Sequence, residues 1–287
     1  MIKTHEKFIE KLFLLSAVIS GSLAVLILGF MVVLGLPLLQ GGLFFDLITR
    51  PWSPRQELYG IYPMIVGTLA IAFLSVLFAF PLSLGCASLI SVLGPNSVSR
   101  YLKRVVQFMT GVPTVIYGFV GIFLLVPFIR ELFQAGSGMC VLSAALMLAV
   151  LVSPTMILFF TDSFDQVPAS YLSAVDALGG NRVQKLRYII LPYAWQGLLT
   201  GLVLGTGRAL GDTLIALMIA GNAVQVPGSV LDSARALTAH IALVIAADYE
   251  SLEFKSIFAC GIILYVFTTV AVVGIRAFGI SRGRTRL

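Results

Sequence analysis

The chain has 287 residues, of which 59% are hydrophobic and 11% charged, with a formal net charge of +6. A soluble domain carries about 25% charged residues, so a water-soluble globular protein is excluded. The basic balance is no nucleic-acid footprint either, because the cations cluster in short loops between apolar runs, where they orient a membrane protein. The fold class read from this is an all-α membrane protein.

Six transmembrane helices are predicted, at about 12–36, 62–92, 105–129, 139–161, 193–220 and 256–278. The first apolar run is too long for a signal-peptide core and no A-x-A-like cleavage site follows it, so it reads as a retained helix. Pro81 falls in the second span, Gly111 and Pro113 in the third, and Pro154 in the fourth. Such breakers kink membrane helices where neighbours satisfy the freed backbone groups; each serves either a moving part or a static kink. In the fifth span Gly197, Gly201 and Gly205 form one small-residue face, and Gly207 with Gly211 a second. Small faces let helices approach closely, so this helix is expected to pack on two sides, within its own bundle or against a partner subunit. The apolar stretch Ala239 to Ala247 is too short to span and reads as an outer interfacial helix.

Lys3, Lys7, Lys11, Arg100, Lys103, Arg104, Arg182, Lys185, Arg187, Arg276, Arg282, Arg284 and Arg286 fall on one side of these spans. Arg50, Arg55, Arg130, Arg235 and Lys255 fall on the other. The positive-inside rule places both termini in the cytoplasm. Cys86, Cys140 and Cys260 stand singly and read as buried structural cysteines. His5 and His240 are isolated and receive no role. No metal site is predicted.

Arg208 and Asp212 lie inside the long apolar run from Leu191 to Ala220. At i,i+4 they are expected on one helical face. A charge at bilayer depth costs roughly 2.5–3.5 kcal/mol on insertion scales, and such groups face a protein interior or a watery path. Arg208 falls roughly 22 Å along the helix at 1.5 Å per residue, past the middle of the span. A guanidinium is a forked donor that fits oxyanions. A carboxylate one turn away would share it and keep anion binding transient, as a pathway requires. The alternative is an ion pair that only bridges helices. Asn222 and Gln225, near the outer end, are candidate polar contacts for the entrance.

The loop from Asp162 to Ile190 is long enough to carry structure and function of its own. Tyr171 to Leu178 predicts a short helix, Gly179-Gly180-Asn181 its stop, and Arg182 to Ile190 a second helix, with Pro192 starting the next span. Asp176, Arg182, Lys185 and Arg187 decorate this unit, which suits docking to a cytoplasmic partner or serves as a solvated connector.

The pattern Ser173-Ala174-Val175, three residues, Gly179, nine residues, Ile189-x-Leu191-Pro192 resembles the EAA motif of ABC importer permeases. Ser173 and Val175 depart from it. The resemblance implies a coupling helix seated in a groove of an ATPase subunit. Gly207-Arg208-Ala209-Leu210-Gly211-Asp212-Thr213 with Ala220-Gly221-Asn222, the segment Thr110 to Gly118, and Arg235 to Ala239 are similar to the permease pair of phosphate-specific ABC importers. In that family the arginine and a glutamate four residues later matter within the membrane, and they map onto Arg208 and Asp212. The resemblance implies a type-1 ABC importer permease fold (MetI-like). It divides the chain into 1–59 (cytoplasmic tail, first helix and outer loop), 60–280 (permease domain) and 281–287 (basic tail). It implies a homologous second permease, two cytoplasmic ATPase subunits using ATP and Mg, and an external phosphate-binding protein.

No G-x-x-x-x-G-K-[ST] loop occurs, so the chain is not expected to hydrolyse ATP itself or to hold a cofactor. Two readings stand at this point. One is the membrane subunit of an ATP-driven importer for phosphate, or for another oxyanion such as sulfate or molybdate, in the inner membrane of a prokaryote. The other is a stand-alone secondary transporter or channel, which internal repeats would favour; the sequence has no convincing repeat.

Overall fold

The computed structural model describes residues 2–39, 43–134 and 136–284, and the side chains of 9–35, 45, 47–134 and 136–277. Arg286 and the side chains of Lys3, Lys7, Arg282 and Arg284 lie outside these described residues, as does His5's side chain.

Long apolar runs fold as helices because a helix satisfies every backbone group internally, which a bilayer demands. Among the described residues five helices are long and apolar enough to cross a membrane. They are Ile9–Gly35 within α1 (Ile2–Leu39), Tyr62–Leu93 (α3, Tyr62–Ser88, plus a π-turn), Thr114–Phe133 (α5, Thr114–Val120, and α6, Val126–Phe133, joined by a π-turn), α7 (Val141–Asp165), and Leu252–Ala277 within α14 (Leu252–Arg284). A sixth passes the same test as a bent pair, Arg182–Tyr193 and α11 (Trp195–Gly211), meeting at 71°.

Two predicted spans are corrected. The third is expected at 105–129, but Asn96–Thr110 is a separate amphipathic helix (α4) and the span begins at Thr114. The break is chemical. Pro113 has no N–H to give the Met109 carbonyl four residues back. That carbonyl instead accepts from Val112 N–H at 3.3 Å and from the Tyr117 hydroxyl at 3.0 Å. The fifth span does not start at Pro192. It starts at Trp195, after the bend at Ala194, and it stops at Gly211, where the chain breaks before α12 (Leu214–Ile219).

The core centres on α7, where Val152, Met156 and Phe160 are fully buried between α3 and α11. The Gly197, Gly201, Gly205 face packs on α7 as expected: an added Cβ would come within 1.9 Å of Ser163 Oγ at the first and 2.7 Å of Phe160 and Met156 at the others. The second face is different. A Cβ at Gly207 or Gly211 would meet nothing within 4 Å among the described residues, so that side of α11 is open to them. α1 stands apart, with its apolar stretch exposed, and packs along α14 through contacts such as Phe30 edge-on to Phe258 at 6.1 Å.

One end of the bundle carries α4 and the loop between α7 and α11. The other carries a small hairpin (β1, Trp52–Ser53; β2, Leu58–Tyr59) and an irregular strap, 220–236, leading into α13 (Leu237–Val244). The strap is stitched onto the start of α7, whose first amides need partners: Val141 N–H donates to Asp232 O at 3.0 Å and Leu142 N–H to Val230 O at 2.8 Å. Thr68 on α3 accepts from Leu237 N–H at 2.8 Å. His240, assigned no role from sequence, is fully buried here, edge-on to Trp52 at 4.3 Å, with no hydrogen-bond partner for either ring nitrogen among the described residues.

Burial, and secondarily the Arg235 charge, lower the His240 pKa to about 4. The unfolded chain takes up a proton near pH 6.5 and the folded one only near 4, so His240 favours folding fully above pH 6.5. That contribution falls as the pH drops toward 4. The melting temperature of the purified protein is expected to decline over this window, and His240→Phe to flatten the decline.

Candidate translocation site and coupling loop

Arg208 sits on the last turn of α11 and is half-buried. Its Nη1 donates to Thr155 Oγ1, on α7, at 2.9 Å. The expected i,i+4 partnership with Asp212 does not form. The helix ends at Gly211, Asp212 adopts an extended backbone (φ −71°, ψ 131°), and no ion pair joins the two side chains. Local capping takes the carboxylate: Asp212 Oδ2 accepts from Ile215 N–H at 2.9 Å and Ala216 N–H at 3.4 Å, closing the start of α12. Aspartate is the right length for such a cap, and glutamate is not among the preferred capping residues. The Asp212 carbonyl accepts from the Thr238 hydroxyl at 2.7 Å, tying the helix break to α13.

This geometry predicts a graded result at Asp212. Asn retains a capping oxygen and is expected to leave the melting temperature of the assembled protein nearly unchanged. Ala removes it and is expected to cost about 1 kcal/mol, seen as a lower melting temperature.

Asn222 belongs to a turn. Gly221 (φ 84°) and Asn222 (φ 58°) both occupy the left-handed region, and a Cβ on Gly221 would lie 2.3 Å from Ser233 Oγ. Asn222 Nδ2 donates to Leu217 O at 2.6 Å, its Oδ1 is buried without a partner, and its carbonyl accepts from Arg235 Nε at 3.1 Å. The Ala220-Gly221-Asn222 sequence therefore closes α12 onto the strap. Gln225 lines a separate cavity of about 490 Å³ with Trp52, Tyr62 and Val226.

At the opposite end, α8 (Ala169–Ala177) stops at Leu178 and Gly179, whose φ of 74° favours glycine. Asn181 and Gln184 then form a reciprocal capping box, with bonds of 2.8 and 2.9 Å, that starts α9 (Arg182–Gln184). The helix continues through a π-turn, Lys185–Ile190, into α10 (Leu191–Tyr193), so Pro192 lies inside it. π-register ahead of a proline accommodates the missing amide. Buried Ile190 anchors this helix, and Ile189 and Leu191 pack against the core. The two halves are clamped by Lys185–Asp176 at 2.5 Å. Ser173, where the family motif has glutamate, turns back on Ala169 O at 2.9 Å, and Ala174 O accepts from Leu178 N–H. Arg182 is exposed. Leu178, at the tip, is 88% exposed.

A bundle of membrane helices with a half-buried cation and a helical loop at one end fits the membrane subunit of a transporter. The chain belongs to the family of binding-protein-dependent transport system inner membrane components, whose model matches residues 79–279. It is 34% identical over 228 residues to a probable ABC transporter permease protein, YqgH, of Bacillus subtilis, covering 78% of this chain and 74% of that protein. It is 30% identical over 238 residues to the phosphate transport system permease protein PstC of Pasteurella multocida (76% of this chain, 74% of that one). It is 29% identical over 276 residues to a probable PstC of Methanocaldococcus jannaschii (88% and 87%). Its fold is similar to a chain of the MetNI methionine ABC transporter, with a TM-score of 0.57 at 20% identity over 76% of this chain and 94% of that one. The protein is a multi-pass ABC importer permease with the type-1 fold. It is not catalytic on its own, and it belongs with ATPase and binding-protein partners.

Proposed function

We propose that this subunit passes inorganic phosphate into the cytoplasm, beside Arg208. The observation that carries the proposal is the state of that side chain: a cation within the membrane bundle whose hydrogen-bond partner is a neutral hydroxyl rather than a carboxylate. A guanidinium so placed keeps donors and net charge for an oxyanion. The phosphate-permease names of relatives at 29–30% identity point to the same cargo. Asp212 holds the helix break. Asn222 shapes the turn beyond α12.

In the same reading, the open Gly207 and Gly211 face of α11 receives a second, homologous permease. The loop from α8 to α10 docks on one of two ATPase subunits, which supply ATP and Mg chemistry; this chain holds no cofactor. The strap end meets an external phosphate-binding protein. The cation distribution supports a cytoplasmic position for the loop end and both termini, with the subunit in the inner membrane of a prokaryote. Cells expressing the complete complex should take up labelled phosphate, and excess sulfate or molybdate should compete weakly. Strong competition by either anion, with feeble phosphate uptake, would reassign the cargo.

A further inference from the structure

Among the serines and threonines of α7, Thr155 is the one that meets a charged side chain; Ser143 donates to Gly138 O, and the Thr161 hydroxyl is buried without a partner among the described residues. Ser153 and Ser163 turn their hydroxyls back onto the carbonyls of Ala149 and Phe159, at 2.6 Å each. This is the ordinary resting place of a hydroxyl on a membrane helix. Thr155 accepts from Arg208 instead, and its own hydroxyl hydrogen has no acceptor among the described residues. Both side chains are half-buried, so the pair is reachable from the surface between α7 and α11. Asp212, the acid nearest in sequence, is engaged with the α12 amides.

We infer that Thr155 is the second anion-contacting residue of the pathway, orienting Arg208 through its oxygen while its O–H donates to the same passing oxyanion. This rests on the reading of Arg208 as the anion site. A hydroxyl can accept and donate at once. A carboxylate in its place would neutralise the guanidinium and compete with the cargo, and a second cation would hold the anion too long. Thr155 adds a directed contact with no added charge. It also makes the site span two helices, so relative movement of α7 and α11 changes the grip on the ion. Nothing in the surrounding sequence marks this residue, which lies 53 positions from its partner.

The test uses the complete complex in vesicles, with saturating phosphate-loaded binding protein, reading phosphate moved and ATP hydrolysed together. Thr155→Val keeps the shape and removes the hydroxyl. Phosphate transport is expected to fall about tenfold, the loss of one hydrogen bond involving a charged group, while stimulated ATP hydrolysis stays within about twofold of wild type. Thr155→Ser is expected to restore transport, and Thr155→Val is expected to add little in an Arg208→Gln background. Normal transport by Thr155→Val, with Arg208→Gln impaired, overturns the inference and leaves the Arg208 pathway standing. So does a Thr155→Ser variant as damaged as Thr155→Val, or parallel loss of transport and ATP hydrolysis, since either marks a packing role. Normal transport by Arg208→Gln overturns both.

Discussion

Arg208→Gln is expected to lower phosphate uptake by roughly a hundredfold, since hydrogen bonds to charged groups are worth about 1.5–3 kcal/mol and a guanidinium offers two in parallel. Glutamine keeps an amide donor that can still meet Thr155, so the α7–α11 contact is retained. What it loses is the net charge that offsets moving an anion out of water. The folding cost should be small, because Arg208 is half-buried and makes one hydrogen bond, to a neutral partner. Uptake by cells carrying the variant, with co-purification of the ATPase as the control for assembly, checks this. Uptake near wild type would reduce Arg208 to a bridge between helices.

Leu178→Asp should uncouple the subunit from its motor. Leu178 is 88% exposed, more than Tyr171, Val183 or Tyr188 of the same loop, at the turn between two helices joined by the Lys185–Asp176 ion pair. Anchors of this kind contribute ~2 kcal/mol or more when they fill a partner's pocket. An aspartate there would bring a desolvated, unpaired charge to the interface. The variant should insert and melt like wild type, because its side chain supports nothing in its own chain, yet fail to retain the ATPase on purification. Full retention of the ATPase by Leu178→Asp would move the docking surface away from this tip.

The place of Arg208 within the bundle and the two short helices of the loop were legible in the sequence for a local reason. A charge inside an apolar run has few bland explanations, and the stop at Gly179 and the helix start after Asn181 are set by neighbouring residues. The separation of Arg208 from Asp212 was not legible. Periodicity carries a helix forward until something ends it, and what ends this one is Asp212 itself, capping α12 and bonded through its carbonyl to Thr238, 26 residues away. The third span was misplaced in the same way. Apolar content runs through Gly111 and Pro113, and only the Tyr117 hydroxyl on the Met109 carbonyl reveals that the break is a built feature. Thr155 and His240 are the remaining omissions. Each matters through a contact across the bundle, with Arg208 in one case and Trp52 in the other, and no spacing rule connects residues that far apart.

The most direct test is ATP-driven phosphate accumulation in proteoliposomes containing this chain, its partner permease and the ATPase subunits, with loaded binding protein on the outer face and ATP on the loop side. Accumulation against the phosphate gradient that requires both ATP and the binding protein is the predicted result. Phosphate flow that needs neither, running only down its gradient, would contradict the account and make the chain a channel or secondary transporter.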